Sequence, residues 1–271
     1  QKKGLKPKYD GTCRERTDTP EGASSVVRFK APLEGSVVVE DLLRGKVVFD
    51  VVELDDLILQ RTDGSPTYNF VVVVDDADMG ITHVVRGDDH LSNTPRQCLL
   101  YDALNFPRPK FVHIPMILGQ DKARLSKRHG ATSALAYRDM GYLPSALINY
   151  LARLGWSHGD QEIFSQEEMI QHFSFDSVNT SAAVFDPDKL SWLNEHYIKT
   201  TAPEELAQSL EPFLISSGIL KEGHGLDFAE IARVIPSLNQ RAKTLIEMAE
   251  KSAFYFKKEV EFDEKAKTKF L

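Results

Sequence analysis

Apolar and polar positions along the chain fall into three textures. Between residues 26 and 52 the apolar positions come in short β-branched runs, at 26–30, 36–39 and 46–52, divided by Pro32, Gly35 and Gly45. Such runs between turn residues predict strands. The run at 68–74 is almost wholly apolar and ends in Asp75-Asp76, which predicts a strand buried on both faces of a parallel sheet. Residues 81–86 predict a second strand, stopped by Gly87. Thr94 as N-cap, Pro95 as first helical residue and Gln97 as reciprocal partner predict a helix, with Cys98, Leu99, Leu100 and Leu104 on its apolar side. Residues 111–118 predict a third strand, followed by a loop at 119–130.

From Ser133 onward the period becomes helical. One helix ends at Gly141, and another runs from Pro144 to Gly155, both glycines suiting a left-handed cap. Ser165 with Glu168, and Thr201 with Glu204, read as capping boxes. Asp186-Pro187 opens another helix, and helices fit 203–217 and 238–257. Trp192 and Tyr197, spaced helically among Leu190 and Leu193, read as core or partner packing. The segment 154–157 reads as a helix stop with a packed Trp156. The order is therefore a β-rich start, an α/β middle and an all-helical end.

Composition narrows the class. The chain has 271 residues, a net charge of −7 and 42% hydrophobic residues. Its longest unbroken apolar block, at 70–74, is strand-sized, so no membrane helix is predicted. Two cysteines, Cys13 and Cys98, predict no disulfide framework and suit a reducing compartment. The acidic total excludes indiscriminate nucleic-acid binding, but two islands are basic. Residues 1–16 hold six bases against two acids, and residues 121–130 hold four bases against one acid.

Chemistry concentrates at two places. The segment 124–130 sets Arg124, Ser126, Lys127 and Arg128 beside Gly130, a composition able to wrap a polyphosphate or to form an ordinary surface loop. Residues 75–90 collect Asp75, Asp76, Asp78, Asp88, Asp89, His83, His90 and Arg86 at the mouths of two expected strands. No metal-ligand spacing joins them, so no metal site is assigned. These acids could bind a ribose or an amino group, and Arg86 a substrate carboxylate; a salt-bridge network tying loop to sheet is the bland reading. His172 and His196 have no second ligand at useful spacing, and Cys98 reads as a small buried hydrophobe.

Read together, several strings resemble the bacterial glutamyl-tRNA synthetase family. They are the octet at 63–70 (D-G-S-P-T-Y-N-F), the Val-Val-Asp-Asp at 73–76, the stretch 80–90 (G-I-T-H-V-V-R-G-D-D-H), and Asn93-Thr94-Pro95-Arg96-Gln97. The loop 124–130 (R-L-S-K-R-H-G), Asn149-Tyr150-Leu151, Leu154-Gly155-Trp156-Ser157 and Phe185-Asp186 complete the series. The resemblance implies an α/β fold, a class I Rossmann-like catalytic core with a β-rich acceptor-binding insertion and an all-α C-terminal part. It divides the chain into an acceptor-end-binding insertion at 1–66, the second half of the catalytic domain at 67–135, a stem-contact helical domain at 136–199 and the start of an anticodon-binding domain at 200–271. The family's H-I-G-H-type ATP signature is absent, so the chain is expected to be an internal piece, inactive in adenylate formation by itself. Some relatives bind zinc with a Cys-x-Cys pair and a later Cys-x-His; here Glu15 stands two places after Cys13 and the other pair would lie upstream, so zinc is not expected.

The activity so implied is ATP-dependent ligation of L-glutamate to tRNA(Glu) through glutamyl-adenylate, with Mg²⁺ and no membrane, by a cytoplasmic monomer. Lys127 is the expected catalytic phosphate contact, with Arg124, Ser126 and Arg128 also on ATP. Tyr68, Asp76, Arg86 and His90 are expected at glutamate. A glutaminyl relative would read its anticodon with β-barrels, against the helical stretch 200–271. A short paralogue that glutamylates a modified tRNA base would lack such a tail. A non-catalytic RNA-binding or interaction module is the reading from outside enzymology.

Overall fold

The computed structural model describes residues 8–18, 21–126 and 133–256. The chain forms two compact units, 1–116 and 117–271. In the first unit, β1 (Val27–Arg28) pairs antiparallel with β4 (Ile58–Gln60) in a two-stranded ribbon. A four-stranded sheet is built from β2 (Ser36–Asp41), β3 (Gly45–Asp50), β5 (His83–Gly87) and β6 (Lys110–Ile114), in the order β3-β2-β6-β5. β2 and β3 form an antiparallel hairpin, whereas β2–β6 and β5–β6 are parallel. Two helices, α1 (Tyr68–Asp78) and α2 (Thr94–Ala103), complete this unit. Val37, Val39, Val73, Leu100, Tyr101 and Phe111 belong to one buried cluster.

The run expected as a buried strand at 68–74 is instead the first two turns of α1. A continuous apolar run does not separate a buried strand from a buried helix. Here Pro66 and Gly80 bracket a helix-sized stretch, and Gly80, at φ 66°, ends it. The valines are poor helix formers, but the packing of Phe70, Val72 and fully buried Val73 against the cluster overrides that preference. Thr94 does not cap α2: the cap position is Asn93, whose side chain bonds none of the helix amides, and the Thr94 hydroxyl turns toward Arg86 and His113. Cys98 is buried, which pushes its thiol up to about 11 and leaves it an inert hydrophobe.

The second unit is helical: α3 (Ala134–Asp139), α4 (Pro144–Gly155), α5 (Gln166–His172), α6 (Pro187–Thr200), α7 (Pro203–Ser216), α8 (Phe228–Ala232), α9 (Ile235–Leu238) and α10 (Leu245–Phe256). The Ser165–Glu168 capping box forms as expected, and Asp186 caps α6. The Thr201–Glu204 box does not. Ala202 is the cap of α7, and the Thr201 amide is used to close α6 on Tyr197 O. Gly141 takes the left-handed cap conformation, φ 82°, but Gly155 stays within α4 and buried Trp156 follows as its cap. Trp192 is exposed, while Tyr197 donates toward Asn149 Oδ1 and Phe164 O.

The helix expected over 238–257 begins only at Leu245, because the preceding turn is claimed by tertiary bonds. Buried Asn194 accepts from Leu143 N at 2.8 Å and donates to Lys243 O at 2.6 Å, while Gly141 O accepts from Leu245 N at 2.9 Å. Among the described residues two buried clusters make the core of this unit, the smaller around Tyr150, Leu190 and Leu193. Leu143, Ala146 and Ile198 lie in one cluster with Leu206, Leu210, Ile231 and Met248.

Glu162 joins two elements of this unit, accepting from Arg153 at 2.9 Å and Lys189 at 2.8 Å. The Arg153 hydrogen bond first, and Lys189 next, pull its carboxyl down to about 2. Its stabilisation is therefore present above the ordinary carboxyl value of 4.5 and lost as pH falls toward 2. The site is partly exposed, so screening holds the effect to roughly 1 kcal/mol. Glu162→Gln is expected to lower Tm by roughly 2–4 °C at pH 7, with the two melting curves converging near the acid limit. Equal Tm values at pH 7 would show that the bridge stabilises nothing.

Candidate active site

Parallel pairing of β5 with β6 sets Arg86 opposite His113. Arg86 ends β5 as a half-buried cation. Its Nε donates to His113 Nε2 at 3.1 Å, and its Nη2 donates to Thr94 Oγ1 at 2.8 Å and to Gln97 Oε1 at 2.7 Å. All three acceptors are uncharged. Among the described residues no carboxylate lies in salt-bridge range of the guanidinium. Asp88 is engaged by Arg44 at 2.6 Å, and Asp76 accepts from Tyr101 at 3.3 Å. Arg86 therefore forms a salt bridge with neither acid, although Asp76 is near enough to act on it electrostatically. Burial pushes its pKa down, and the nearby Tyr68 and Asp76 push it back. A desolvated cation without a paired anion is costly, and an anionic ligand relieves that cost.

The lower layer of the site comes from β2 and β6. Asp41 ends β2 with Oδ1 accepting from the Leu43 and Arg44 amides, both at 2.9 Å. Its Oδ2 accepts from His113 N at 3.1 Å and faces His113 Nδ1 at 2.6 Å. Both side chains are fully buried, and burial lowers the His113 pKa. The lateral wall comes from α1 and α2. Asn69 and Asp76, seven apart on α1, meet Gln97 and Tyr101, four apart on α2, through bonds of 3.0 and 3.3 Å. Those spacings put each pair on one helix face.

Tyr68, Asp76, Arg86 and His90 thus gather in the first unit. Tyr68 is half-exposed, with its ring 5.9 Å from that of His90. His90 lies in the short turn Asp88–Asn93, its Nδ1 3.2 Å from Asn93 Nδ2. Burial raises the Asp76 pKa against the pull of Tyr101. Arg124 and Ser126 belong to the second unit. The segment 117–125 folds back on itself, with Leu118 bridged to Arg124 and, on its other side, to Val184. Lys122, at φ 60°, lies in that reversal. Lys127 and Arg128 lie outside the described residues.

Asp41, Arg44, Asn69 and His113 were not singled out by the sequence reading, which also gave Thr94 and Gln97 to helix capping. The available signal was His113 itself, one polar residue inside the apolar run Phe111-Val112-His113-Ile114. An imidazole at 0% exposure within a sheet needs polar partners at both nitrogens.

Comparison with known proteins gives the family of the chain. Residues 1–192 match the family described as tRNA synthetases class I (E and Q), catalytic domain, and residues 205–271 match an anticodon binding domain. The chain is 59% identical over 268 residues to the glutamate–tRNA ligase of Geotalea uraniireducens, covering 99% of this chain and 56% of that protein. It is 60% identical to glutamate–tRNA ligase 1 of Syntrophus aciditrophicus, with 99% and 56% covered. The chain spans about 56% of the length of these curated relatives. A glutamate tRNA ligase from Elizabethkingia meningosepticum, crystallised in complex with its amino acid, superimposes with a TM-score of 0.74 at 33% identity, over 90% of this chain and 51% of that one.

Proposed function

The chain belongs to the class I tRNA synthetases of the E and Q group, and from that premise we propose that it carries the amino-acid-selecting part of an ATP-dependent glutamate–tRNA ligase. The observation that supports this reading most is Arg86, a desolvated guanidinium held by neutral acceptors and set beside Tyr68. L-glutamate fits there as an anionic side chain meeting an unpaired cation, with the Tyr68 hydroxyl orienting it. Asp76 and His90 border the same region, and Asp76 would receive the amino group. The relatives named as glutamate–tRNA ligases point the same way. The described residues from 203 to 256 contain helices and no strand, which favours glutamate over the β-barrel-bearing glutaminyl type.

In the proposed reaction the α-carboxylate of glutamate attacks the α-phosphorus of ATP. A carboxyl–phosphorus bond forms, pyrophosphate leaves, and the glutamyl-adenylate then yields glutamate to the 3′-terminal ribose of tRNA(Glu), releasing AMP. Charge accumulates on the phosphate oxygens, where fixed cations act electrostatically. Lys127 is assigned that role, with Arg124, Ser126 and Arg128 along the triphosphate. Mg²⁺ would accompany the triphosphate of ATP; among the described residues no three His, Cys, Asp or Glu side chains assemble a metal site. With the family reading go a cytoplasmic location and a monomer; none of the described helices is long and apolar enough to cross a membrane.

The test is ATP–pyrophosphate exchange by the full-length polypeptide that carries this sequence, with glutamate or glutamine supplied. Exchange dependent on glutamate is expected, and exchange preferring glutamine would transfer the chain to the other branch of the group. In the same assay Lys127→Ala is expected to slow exchange by roughly 10²- to 10³-fold, the usual scale for one charge stabiliser, with the KM for glutamate little changed. An unchanged rate with a lowered Tm would make Lys127 structural.

A further inference from the structure

We propose that Asp41 and His113 are positioning residues that fix the direction of the Arg86 guanidinium through a single enforced tautomer of the imidazole. The inference rests on the reading of Arg86 as the glutamate-binding cation. An arginine Nε carries a proton at any working pH and can only donate. His113 Nε2, 3.1 Å away, must therefore present its lone pair. The ring proton then resides on Nδ1, which donates to Asp41 Oδ2 at 2.6 Å. Asp41 is itself immobilised by the Leu43 and Arg44 amides and by the His113 amide. Direction thus passes from a backbone turn to a carboxylate, from there to an imidazole, and finally to the guanidinium.

Chemistry explains why an imidazole stands between the two charges. A carboxylate placed directly against Arg86 would satisfy the cation and compete with the side-chain carboxylate of glutamate. The imidazole transmits geometry and keeps the charge of Asp41 a ring's width away. His113, Thr94 and Gln97 consume three of the five guanidinium N–H groups, which fixes the plane of the fork and leaves Nη1, with Tyr68 beside the guanidinium, for a ligand.

Asp41→Asn tests the inference, since the amide has nearly the same shape. Asn accepting from Leu43 and Arg44 turns its NH₂ toward His113 Nδ1, which then has to accept, while the His113 amide loses its acceptor. The ring proton moves to Nε2, where it opposes the Arg86 Nε–H and has only the Thr94 hydroxyl, 3.0 Å away, to accept it. In the full-length polypeptide this variant is expected to raise the KM for glutamate by about 10- to 100-fold, the scale for losing an outer orienting group, with the KM for ATP within about twofold. His113→Gln, which can offer a carbonyl to Arg86, is expected to stay nearer wild type in glutamate KM than His113→Leu. A folded Asp41→Asn variant with unchanged glutamate KM, or with glutamate and ATP constants rising together, overturns the inference and leaves the proposed function standing. Absence of glutamate-dependent exchange in the wild type overturns both. Histidine ¹⁵N NMR of the wild type decides the matter where Asp41→Asn does not fold. A neutral His113 protonated on Nδ1 supports the inference, and an Nε2–H tautomer overturns it.

Discussion

Arg86→Gln is expected to cost glutamate recognition about 2–5 kcal/mol, the range for a desolvated charge pair that loses one partner. That energy reads as an increase of roughly thirtyfold to several-thousandfold in the KM for glutamate. The geometry makes the loss specific. Glutamine cannot fill the places of three donors, so Gln97 Oε1 loses the guanidinium together with the ligand, and His113 Nε2 and Thr94 Oγ1 keep only each other. ATP dependence is expected to survive, because the phosphate contacts are assigned to Lys127 and its neighbours. Michaelis constants for both substrates, measured beside a thermal melt, separate recognition from stability. The opposing view is that Arg86 only ties its loop to the sheet. On that view the Tm falls and the glutamate constant of the folded fraction stays where it was.

The second large effect is on stability. Gly141→Ala is expected to destabilise the fold by about 2–4 kcal/mol, lowering Tm by roughly 5–15 °C. Two causes combine. Gly141 sits at φ 82°, where any side chain is strained, and a Cβ there would stand 2.8 Å from Ile246 N and 2.9 Å from Leu245 N. Those contacts are backbone, at the very start of α10, and cannot swing aside like a flexible side chain. Gly159→Ala is the control, since it shares a positive φ of 53° but meets nothing within 4 Å. If both variants melt alike, the close approach of the Gly141 turn to α10 contributes nothing.

What sequence revealed and what it concealed divide along physical lines. Local chemistry was legible: the Ser165–Glu168 box, the Asp186 cap and the Pro144 helix start depend on residues within a few positions of one another. The helix α1 was not, because four successive valines favour extended backbone until the packing of Val73 decides otherwise. The place of Arg86 at a strand end was legible, but its support was not. Asp41 and His113 are 72 positions apart and meet only because β2 and β6 are neighbours in the sheet. Thr94 showed the limit in another way, since a residue well suited to capping was claimed by a tertiary partner with greater need.

The larger core cluster of the helical unit bears on how such chains can be recombined. The two family matches stop at residue 192 and resume at 205, which invites the view that the later part is a detachable module. Asn194 denies it, joining the start of α4 to the turn before α10 through Leu143 N and Lys243 O. A graft of the later part from another member of the group would inherit an obligation. It must present a backbone carbonyl to the Asn194 amide and a surface that seals Ala146 and Ile198. The two matched segments thus share one buried interface that any exchange has to reproduce.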